Sequence, residues 1–167
     1  AYITIDGIDK TKIELLDDPN RLGIYEMEFN LVNLSLQPVK YNISLVGMTE
    51  SVAVSNEEFV AERPQLLTDE FNVEVISGGE LSGTTIRVQG RETCKIKVTY
   101  TLTQENKDLI ESLFHFGMYV EGFIKLEDLN TKPLNDKKVD LNVPFLAYYG
   151  DWTQAPIFDK TYYEVES

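Results

Sequence analysis

An alternation of apolar and polar residues with a period of two is the feature that most restricts the fold of this chain. It is clearest in residues 24–36, where Tyr25, Met27 and Phe29 alternate with polar or charged side chains. A period of two places every second side chain on the same face of a strand, so one face is buried and the other meets water. The same pattern predicts strands at 1–5, 12–16, 24–36, 39–45, 51–54, 59–61, 71–76, 84–89, 93–102, 119–126 and 139–146.

The turn residues between these strands predict how some of them pair. Pro38 interrupts the alternation, so residues 24–36 and 39–45 are predicted to form an antiparallel pair around Gln37 and Pro38. The glycine-rich residues 78–83 are predicted to form a hairpin. A polar loop at 127–138 is predicted to join the last two strands.

One segment has the spacing of a helix instead. Leu109, Ile110, Leu113 and Phe114 fall on one helical face and are predicted to be core residues, and Thr103 is suited to cap the helix. Many short strands with one short helical crossover predict an all-β protein, an antiparallel β-sandwich formed by residues 1–167 as a single domain. The segment 150–167 is aromatic and is predicted to pack on the sandwich or on a neighbouring domain.

The charge of the chain argues against two classes of partner. Fifteen Lys and Arg stand against 28 Asp and Glu, which gives a formal net charge of −13. Such a surface repels phosphate, so we expect no nucleic-acid partner. We expect no direct membrane insertion either, since no hydrophobic run approaches the roughly 18 to 20 residues that span a bilayer.

Few residues are suited to chemistry. The single cysteine, Cys94, lies in an alternating segment and is interpreted as a packed or half-exposed strand residue, not a nucleophile. The single histidine, His115, lies between Phe114 and Phe116 and is interpreted as a loop or strand-entry residue. There is no Gly-x-Ser-x-Gly motif, and residues 78–83 lack the lysine of a phosphate loop. The sequence therefore predicts no catalytic residue, no cofactor and no metal site.

Three weaker possibilities remain open at this stage. Glu121 and Asp151 are candidates for a glycosidase-type acid pair, although the favoured interpretation is a solvent-facing strand residue for Glu121 and a turn cap for Asp151. The loop 128–136 carries oxygen ligands that suit calcium, but it lacks the spacing of an EF-hand, which favours a plain hairpin loop. An aromatic cluster either stacks on sugar rings or closes the core; its members are Tyr148, Tyr149, Trp152, Tyr162 and Tyr163.

The C-terminal third has a more specific pattern. Residues 116–124 are followed at 143–159 by Val-Pro-Phe-x-x-x-Tyr-Gly-Asp-Trp-x-x-Ala-Pro-x-x-Asp. Together they resemble the fibronectin type III-like domain that follows the catalytic domain in cell-envelope subtilisin-like serine proteases of Gram-positive bacteria, of the lactocepin and streptococcal complement-cleaving peptidase type. Residues 29–33 and 39–43 are similar to its first sheet, more weakly. The resemblance carries over one structural signature: Gly122, Pro144, Gly150, Asp151, Trp152, Pro156 and Asp159.

This resemblance implies a non-catalytic accessory module, excised from a longer protease. The catalytic landmarks of that family (Asp-Thr-Gly, His-Gly-Thr-His and Gly-Thr-Ser-Met-Ala) are absent from the chain. The implied partners are the protease domain of the same polypeptide and its protein substrates, and the implied location is extracellular or in the cell wall. Two alternatives are a carbohydrate- or wall-binding module and an adhesin domain, which requires an exposed apolar patch.

The residues of the signature also have a physical interpretation. Pro144 lacks a backbone donor and is expected at a strand edge or bulge. Gly122 suggests a bulge or a close backbone approach, under Trp152 in one arrangement. Gly150 and Asp151 are expected to form a turn that lets Trp152 fold back over the end of the sandwich.

Overall fold

Two β-sheets face each other in the computed structural model, which describes residues 1–5, 12–55, 58–67, 70–113, 118–130 and 139–151. The elements are β1 Tyr2–Thr4, β2 Ile13–Asp18, β3 Ile24–Val32, β4 Val39–Ser55, β5 Glu58–Leu67, β6 Glu70–Ser77, β7 Glu80–Ser82, β8 Thr85–Val88, β9 Thr93–Thr101, α1 Gln104–Leu113, β10 Met118–Asp128 and β11 Leu141–Tyr149. The first sheet has the order β1-β3-β9-β6, and the second has the order β2-β11-β10-β4-β8-β7, with β5 paired to β4.

The predicted fold class is confirmed: the chain forms an all-β sandwich with one short helix. The antiparallel character also holds for the described strand pairs, with one exception. β2 runs parallel to β11 at the edge of the second sheet, and the register between them shifts between Leu146 and Tyr148. β2 lies far from β11 in sequence, so no tight turn between the two strands requires them to be antiparallel.

The core lies between the two sheets and follows the period-two pattern. On β3 the buried side chains are every second residue from Tyr25 to Leu31, and on β9 they are every second residue from Cys94 to Tyr100. The outer face of this pair is charged, and Lys95 and Lys97 lie 3.5 Å from Glu28 and Glu26, respectively. These exposed ion pairs add only about 0–1 kcal/mol each. The sheet is therefore stabilised mainly by burial of its inner face.

The predicted pairing of residues 24–36 with 39–45 is wrong. β3 belongs to the first sheet, where it pairs with β1 and β9, and β4 belongs to the second, where it pairs with β10, β8 and β5. Residues 33–38 therefore form a corner between the sheets and not a hairpin. The corner is held by Asn33, whose buried side chain donates to the carbonyl of Gln37 within the corner and to that of Val88 on β8.

Two predicted strands, 39–45 and 51–54, form the single strand β4. Its central part pairs with β10, and beyond Thr49 only β5 accompanies it. The predicted hairpin at 78–83 is half right. Gly83, with a φ of 61°, turns the chain between β7 and β8, whereas Gly78, with a φ of 77°, carries it from the first sheet to the second.

The helix is a crossover between the sheets, as predicted. The Oγ1 atom of Thr103 accepts a hydrogen bond from the backbone N–H of Asn106 at 3.2 Å, which caps the first turn. Ile110 is buried and anchors the helix to the core. α1 then leads from β9 in the first sheet to β10 in the second. Among the described residues, no helix is long and apolar enough to span a membrane.

The loops gather at two ends of the sandwich. We call one the hairpin end: it comprises the corner 33–38, the turn 89–92 and the base of the β10–β11 hairpin at 128–130 and 139–140. We call the other the helix end: it comprises the loop 19–23, residues 102–113 with α1, and residues 150 and 151, where the described part of the chain stops.

Candidate interaction surface

Asn33 fixes two of the loops at the hairpin end. Its Nδ2 atom donates to the carbonyl oxygens of Gln37 at 2.8 Å, Val88 at 3.2 Å and Gln89 at 3.1 Å. Its Oδ1 atom accepts from the backbone N–H of Ser35 at 3.0 Å and from the Ser35 hydroxyl at 2.8 Å. The side chain is 1% exposed. One buried amide therefore holds the corner 33–38 against the turn 89–92.

Asp128 does the same for the β10–β11 hairpin. Its carboxylate accepts hydrogen bonds from the backbone N–H of Asn130 at 2.9 Å, from the Asn130 amide at 2.6 Å and from the backbone N–H of Val139 at 3.0 Å. The Oδ1 atom of Asn130 then accepts from the N–H of Lys40 at 2.7 Å, at the start of β4. The hairpin base is thereby joined to the strand that leaves the corner.

These fixed loops present aliphatic side chains to solvent. Leu34 and Leu36 in the corner are 60% and 74% exposed, and Leu129 and Val139 at the hairpin base are 41% and 57% exposed. The backbone that carries them is already ordered by Asn33 and Asp128. A partner that binds here has little loop entropy to remove, which favours binding. These residues make the hairpin end the candidate interaction surface of the described part of the chain.

The helix end is held by a different set of polar groups. The carboxylate of Asp18 accepts hydrogen bonds from the N–H groups of Leu22 at 2.9 Å and Gly23 at 2.8 Å, and from the Tyr25 hydroxyl at 3.2 Å. Burial, and then the neighbouring Asp18 carboxylate, raise the pKa of Tyr25 above its usual range. Tyr25 is therefore a neutral donor that helps to fix the loop 19–23.

A second tyrosine links the last strand to the helix. The hydroxyl of Tyr149 donates to Glu111 on α1 at 3.0 Å, and the guanidinium of Arg21 lies 3.4 Å from the same carboxylate and 5.9 Å from the Tyr149 ring centroid. Burial, and then the bond to Glu111, raise the pKa of Tyr149. These contacts join β11, α1 and the loop 19–23 at the helix end.

Gly122 is a point of close backbone approach. It lies opposite Gly47 on β4, and a Cβ atom at residue 122 would overlap with the carbonyl oxygen of Val46 and press against the Phe145 ring. The register of β10 passes through Gly122 without a shift, so no bulge forms there. On the facing strand, Gly47 makes room for the Tyr100 hydroxyl.

Pro144 and Gly150 are two further members of the signature that the structure describes. Pro144 faces Phe123 on β10, and β2 pairs with β11 only from Phe145 onward, so β11 has an open side at the proline. Gly150 has a φ of 128° and exchanges two backbone hydrogen bonds of 3.1 Å with Asp18. Asp151 follows and is half-buried. The remaining signature residues, Trp152, Pro156 and Asp159, lie outside the described residues.

Comparison with known families identifies the sandwich. Residues 16–146, well over half of the chain, match the family model of the Fn3-like domain. The chain belongs to the Fn3-like domain family. Domains of this family are typically non-catalytic. No curated protein matches the chain in sequence.

Solved structures resemble this Fn3-like domain only in general architecture. A PapD-like domain of human CEP192 is 13% identical with a TM-score of 0.46, covering 87% of this chain and 92% of that one. SSP-19, an MSP-domain-like protein of Caenorhabditis elegans, is 8% identical with a TM-score of 0.40, covering 88% and 98%. The Escherichia coli chaperone DraB is 10% identical with a TM-score of 0.42, covering 82% of this chain and 52% of that one.

The described part of the Fn3-like domain offers little reactive chemistry. The prediction that Cys94 is packed in a strand is confirmed, because its side chain is fully buried and burial raises the pKa of the thiol to about 11. His115 lies outside the described residues. Within the described ranges, no three His, Cys, Asp or Glu side chains come together as a metal site.

The other candidates from the sequence have structural explanations where they are described. Glu121 is exposed on β10, and Asp151 directly follows Gly150, which forms a β-bridge with Asp18 and not the predicted turn. Asp128, from the calcium-like loop, uses its carboxylate to close the hairpin, and residues 131–138 lie outside the described part. Tyr148 and Tyr149 are 6% and 1% exposed, so they cannot stack on a sugar. Tyr162 and Tyr163 lie outside the described residues.

Several residues that shape the two ends of the Fn3-like domain have no direct signal in the sequence. Asn33 and Glu111 act through partners that are distant in sequence, Val88 for Asn33 and Tyr149 for Glu111, and Asp18 acts through the loop that follows it. A polar residue at the end of a strand, Asp18 in β2 and Asn33 after β3, is the one signal that could have marked those two.

Proposed function

We propose that this Fn3-like domain is a non-catalytic accessory module of a secreted or wall-anchored subtilisin-like serine protease. Its role is to stabilise and position the protease domain, with a contribution to the binding of protein substrates. The proposal combines membership of the Fn3-like family over residues 16–146 with the resemblance at residues 143–159. The parent enzyme and the extracellular or wall location rest on the resemblance alone.

The single observation that carries the docking role is the hairpin end. Leu34, Leu36 and Val139 are each more than half exposed, and they stand on loops that Asn33 and Asp128 hold in place. Aliphatic side chains on ordered backbone are suited to the apolar core of a contact with another domain. Tyr2 pairs with Val32 near the same end, so the strand β1 lies next to this surface.

A sugar-binding role has less support. Its motivation was the aromatic cluster, and the two described members of that cluster belong to the core. An adhesin role draws on the same exposed aliphatic residues, but it takes a separate host protein as the partner. The two roles differ in whether the parent polypeptide itself covers the hairpin end.

The role in stability and the absence of chemistry are tested together. The parent protease is prepared with and without the module, and thermal inactivation of casein hydrolysis is followed for each. We expect the form without the module to lose activity at a lower temperature. The isolated chain is incubated with casein and with a fluorophosphonate serine probe, and we expect neither turnover nor labelling. Labelling of the isolated chain, or equal thermal stability of the two proteases, would refute the proposal.

A further inference from the structure

We propose that the free edge of β6 binds an extended peptide in which basic and apolar residues alternate, and that the peptide adds to the first sheet as a further strand. β6 comprises Glu70–Ser77 and stands last in the sheet order β1-β3-β9-β6; among the described strands it pairs only with β9. The inference uses none of the residues of the hairpin end, so it does not depend on the proposed function.

The edge of β6 that faces away from β9 consists of backbone groups without a strand partner. In an antiparallel pair, every second residue directs its N–H and C=O groups away from the neighbouring strand. Within the described ranges, no other strand, turn or loop forms hydrogen bonds with the backbone of β6. β6 has eight residues, whereas β1 at the opposite edge has three. β6 therefore offers the longer template for a further strand.

The core of the sandwich is incompletely covered along this edge. Phe71, Val73 and Val75 point inward from β6 and are half-buried, whereas the inward residues of the neighbouring β9 are fully buried. Leu81, on the edge strand β7 of the second sheet, is also half-buried against the same core. Burial of more apolar surface here is favourable. A strand added to β6 therefore binds more tightly if the side chains on its inward face are apolar.

The outward face of β6 carries two carboxylates without an ion pair. Glu70 and Glu74 are exposed and stand on the same face of the strand. Lys97 lies opposite Glu74 in the register of β9, but its Nζ atom is 3.5 Å from Glu26 on β3. In the part of the chain that the structure describes, no basic side chain forms an ion pair with Glu70 or Glu74. Basic residues at the same spacing on an added strand would stand directly opposite these carboxylates.

The same charges argue against a second copy of the chain as the occupant. If two β6 strands paired antiparallel, Glu70 and Glu74 of the two copies would meet on one face, and like charges opposite each other are destabilising. The formal net charge of −13 adds to this repulsion. A peptide with Lys or Arg facing the two carboxylates, and with Val or similar residues facing the core, matches both sides of the edge.

Fluorescence anisotropy with a labelled peptide that contains Lys-Val-Thr-Val-Lys tests the inference on the complete chain. The order of residues is the same in both directions, so the peptide matches Glu70 and Glu74 in a parallel or an antiparallel strand. We expect saturable binding that weakens about tenfold or more when Ser replaces both Val residues of the peptide. Replacement of both Lys residues by Glu should weaken binding about tenfold as well.

Charge-reversing variants of the chain provide the matched comparison. E70K/E74K should bind the lysine peptide about tenfold more weakly and bind the glutamate peptide in its place. E121K/E127K changes the net charge equally, at exposed positions of β10 between two neighbouring strands, and should retain wild-type binding. Slow reaction of the buried Cys94 with a thiol reagent verifies that each variant is folded. If E70K/E74K is unfolded, E70Q/E74Q replaces it, with a loss of about threefold expected.

Amide hydrogen exchange shows whether the peptide adds as a strand. At a peptide concentration of about ten times Kd, exchange of the edge amides of β6 should slow by about tenfold, with no change in the corner 33–38. Four results would overturn the inference: no binding of the lysine peptide, equal loss of binding in the two charge-reversed variants, binding without slower exchange in β6, or exchange in β6 that slows with protein concentration in the absence of peptide and so indicates a second copy.

Discussion

Single polar side chains hold the ends of this sandwich in place. Asn33 uses all its donors and its acceptor on five contacts, and Asp18 binds two backbone N–H groups and the Tyr25 hydroxyl. Buried polar groups of this kind are costly to leave unpaired, so each one fixes the groups around it. At the residue scale, order at the loop ends comes from a few side chains that the hydrophobic pattern does not reveal.

Removal of the Asn33 amide is expected to be strongly destabilising. The variant Asn33→Ala leaves the carbonyls of Val88 and Gln89 without this donor, and we expect it to lower the free energy of unfolding by about 2–4 kcal/mol. Urea denaturation followed by circular dichroism measures the change. Asn42→Ala, which removes one exposed bond to Thr84 at 2.6 Å, serves as the control with an expected loss of under about 1 kcal/mol. Equal losses in the two variants would contradict this role of Asn33.

The buried tyrosines predict a loss of stability at alkaline pH. The pKa values of Tyr25 and Tyr149 are raised in the folded chain, so ionisation favours the unfolded state. Stability should be intact below the unfolded pKa of about 10 and fall above it, by up to about 1.4 kcal/mol per pH unit for each group. Urea denaturation from pH 8 to 11.5 measures this slope.

The double variant Y25F/Y149F isolates the two hydroxyls in that experiment. It should show a shallower decline above pH 10 than the wild-type chain. Val88→Ala, a core variant that keeps both hydroxyls, should be less stable at every pH but retain the wild-type slope. A wild-type slope in Y25F/Y149F would show that other groups cause the alkaline decline.

At the scale of elements, the sequence predicted most strands, and the period-two alternation also predicted a buried face in the clearest of them. β3 and β9 bury every second residue, as the alternation indicates. Strand pairing was harder to predict from the sequence. Residues 24–36 and 39–45 are adjacent in sequence but lie in different sheets. Asn33 holds the corner between them by binding a turn more than fifty residues away. The parallel edge strand β2 also gave no local signal. Pairing depends on contacts between distant segments, which one local pattern does not encode.

Gly47 on β4 and Gly122 on β10 lie opposite each other, and a substitution at Gly122 tests how closely the two strands approach. Gly122→Ala places a methyl group against the Val46 carbonyl, and we expect it to cost about 2–3 kcal/mol. Gly83→Ala is the matched control, since its Cβ would meet no atom within 4 Å and only the φ of 61° opposes it, at a cost of about 1 kcal/mol. Thermal unfolding compares the two. A smaller loss for Gly122→Ala would show that the strands tolerate a Cβ at this crossing.

For the molecule as a whole, the two ends have different roles in this account. The core and the outer charged face make an ordinary Fn3-like sandwich. The helix end joins β11, α1 and the loop 19–23, and the hairpin end is the proposed docking surface for the protease domain. The sequence predicted the sandwich. It did not predict the docking end, because Leu34 and Leu36 in the corner 33–38 are distant in sequence from Val139 at the hairpin base.

Calorimetry of the parent protease carrying L36E/V139E tests the docking role most directly. If the hairpin end contacts the protease domain, these charges should lower the melting temperature of that domain by several degrees and leave the isolated module nearly as stable as before. Leu22→Glu, at the other end, should leave the protease transition unchanged. An unchanged protease transition in L36E/V139E would contradict the account, since the exposed aliphatic residues would then serve another partner.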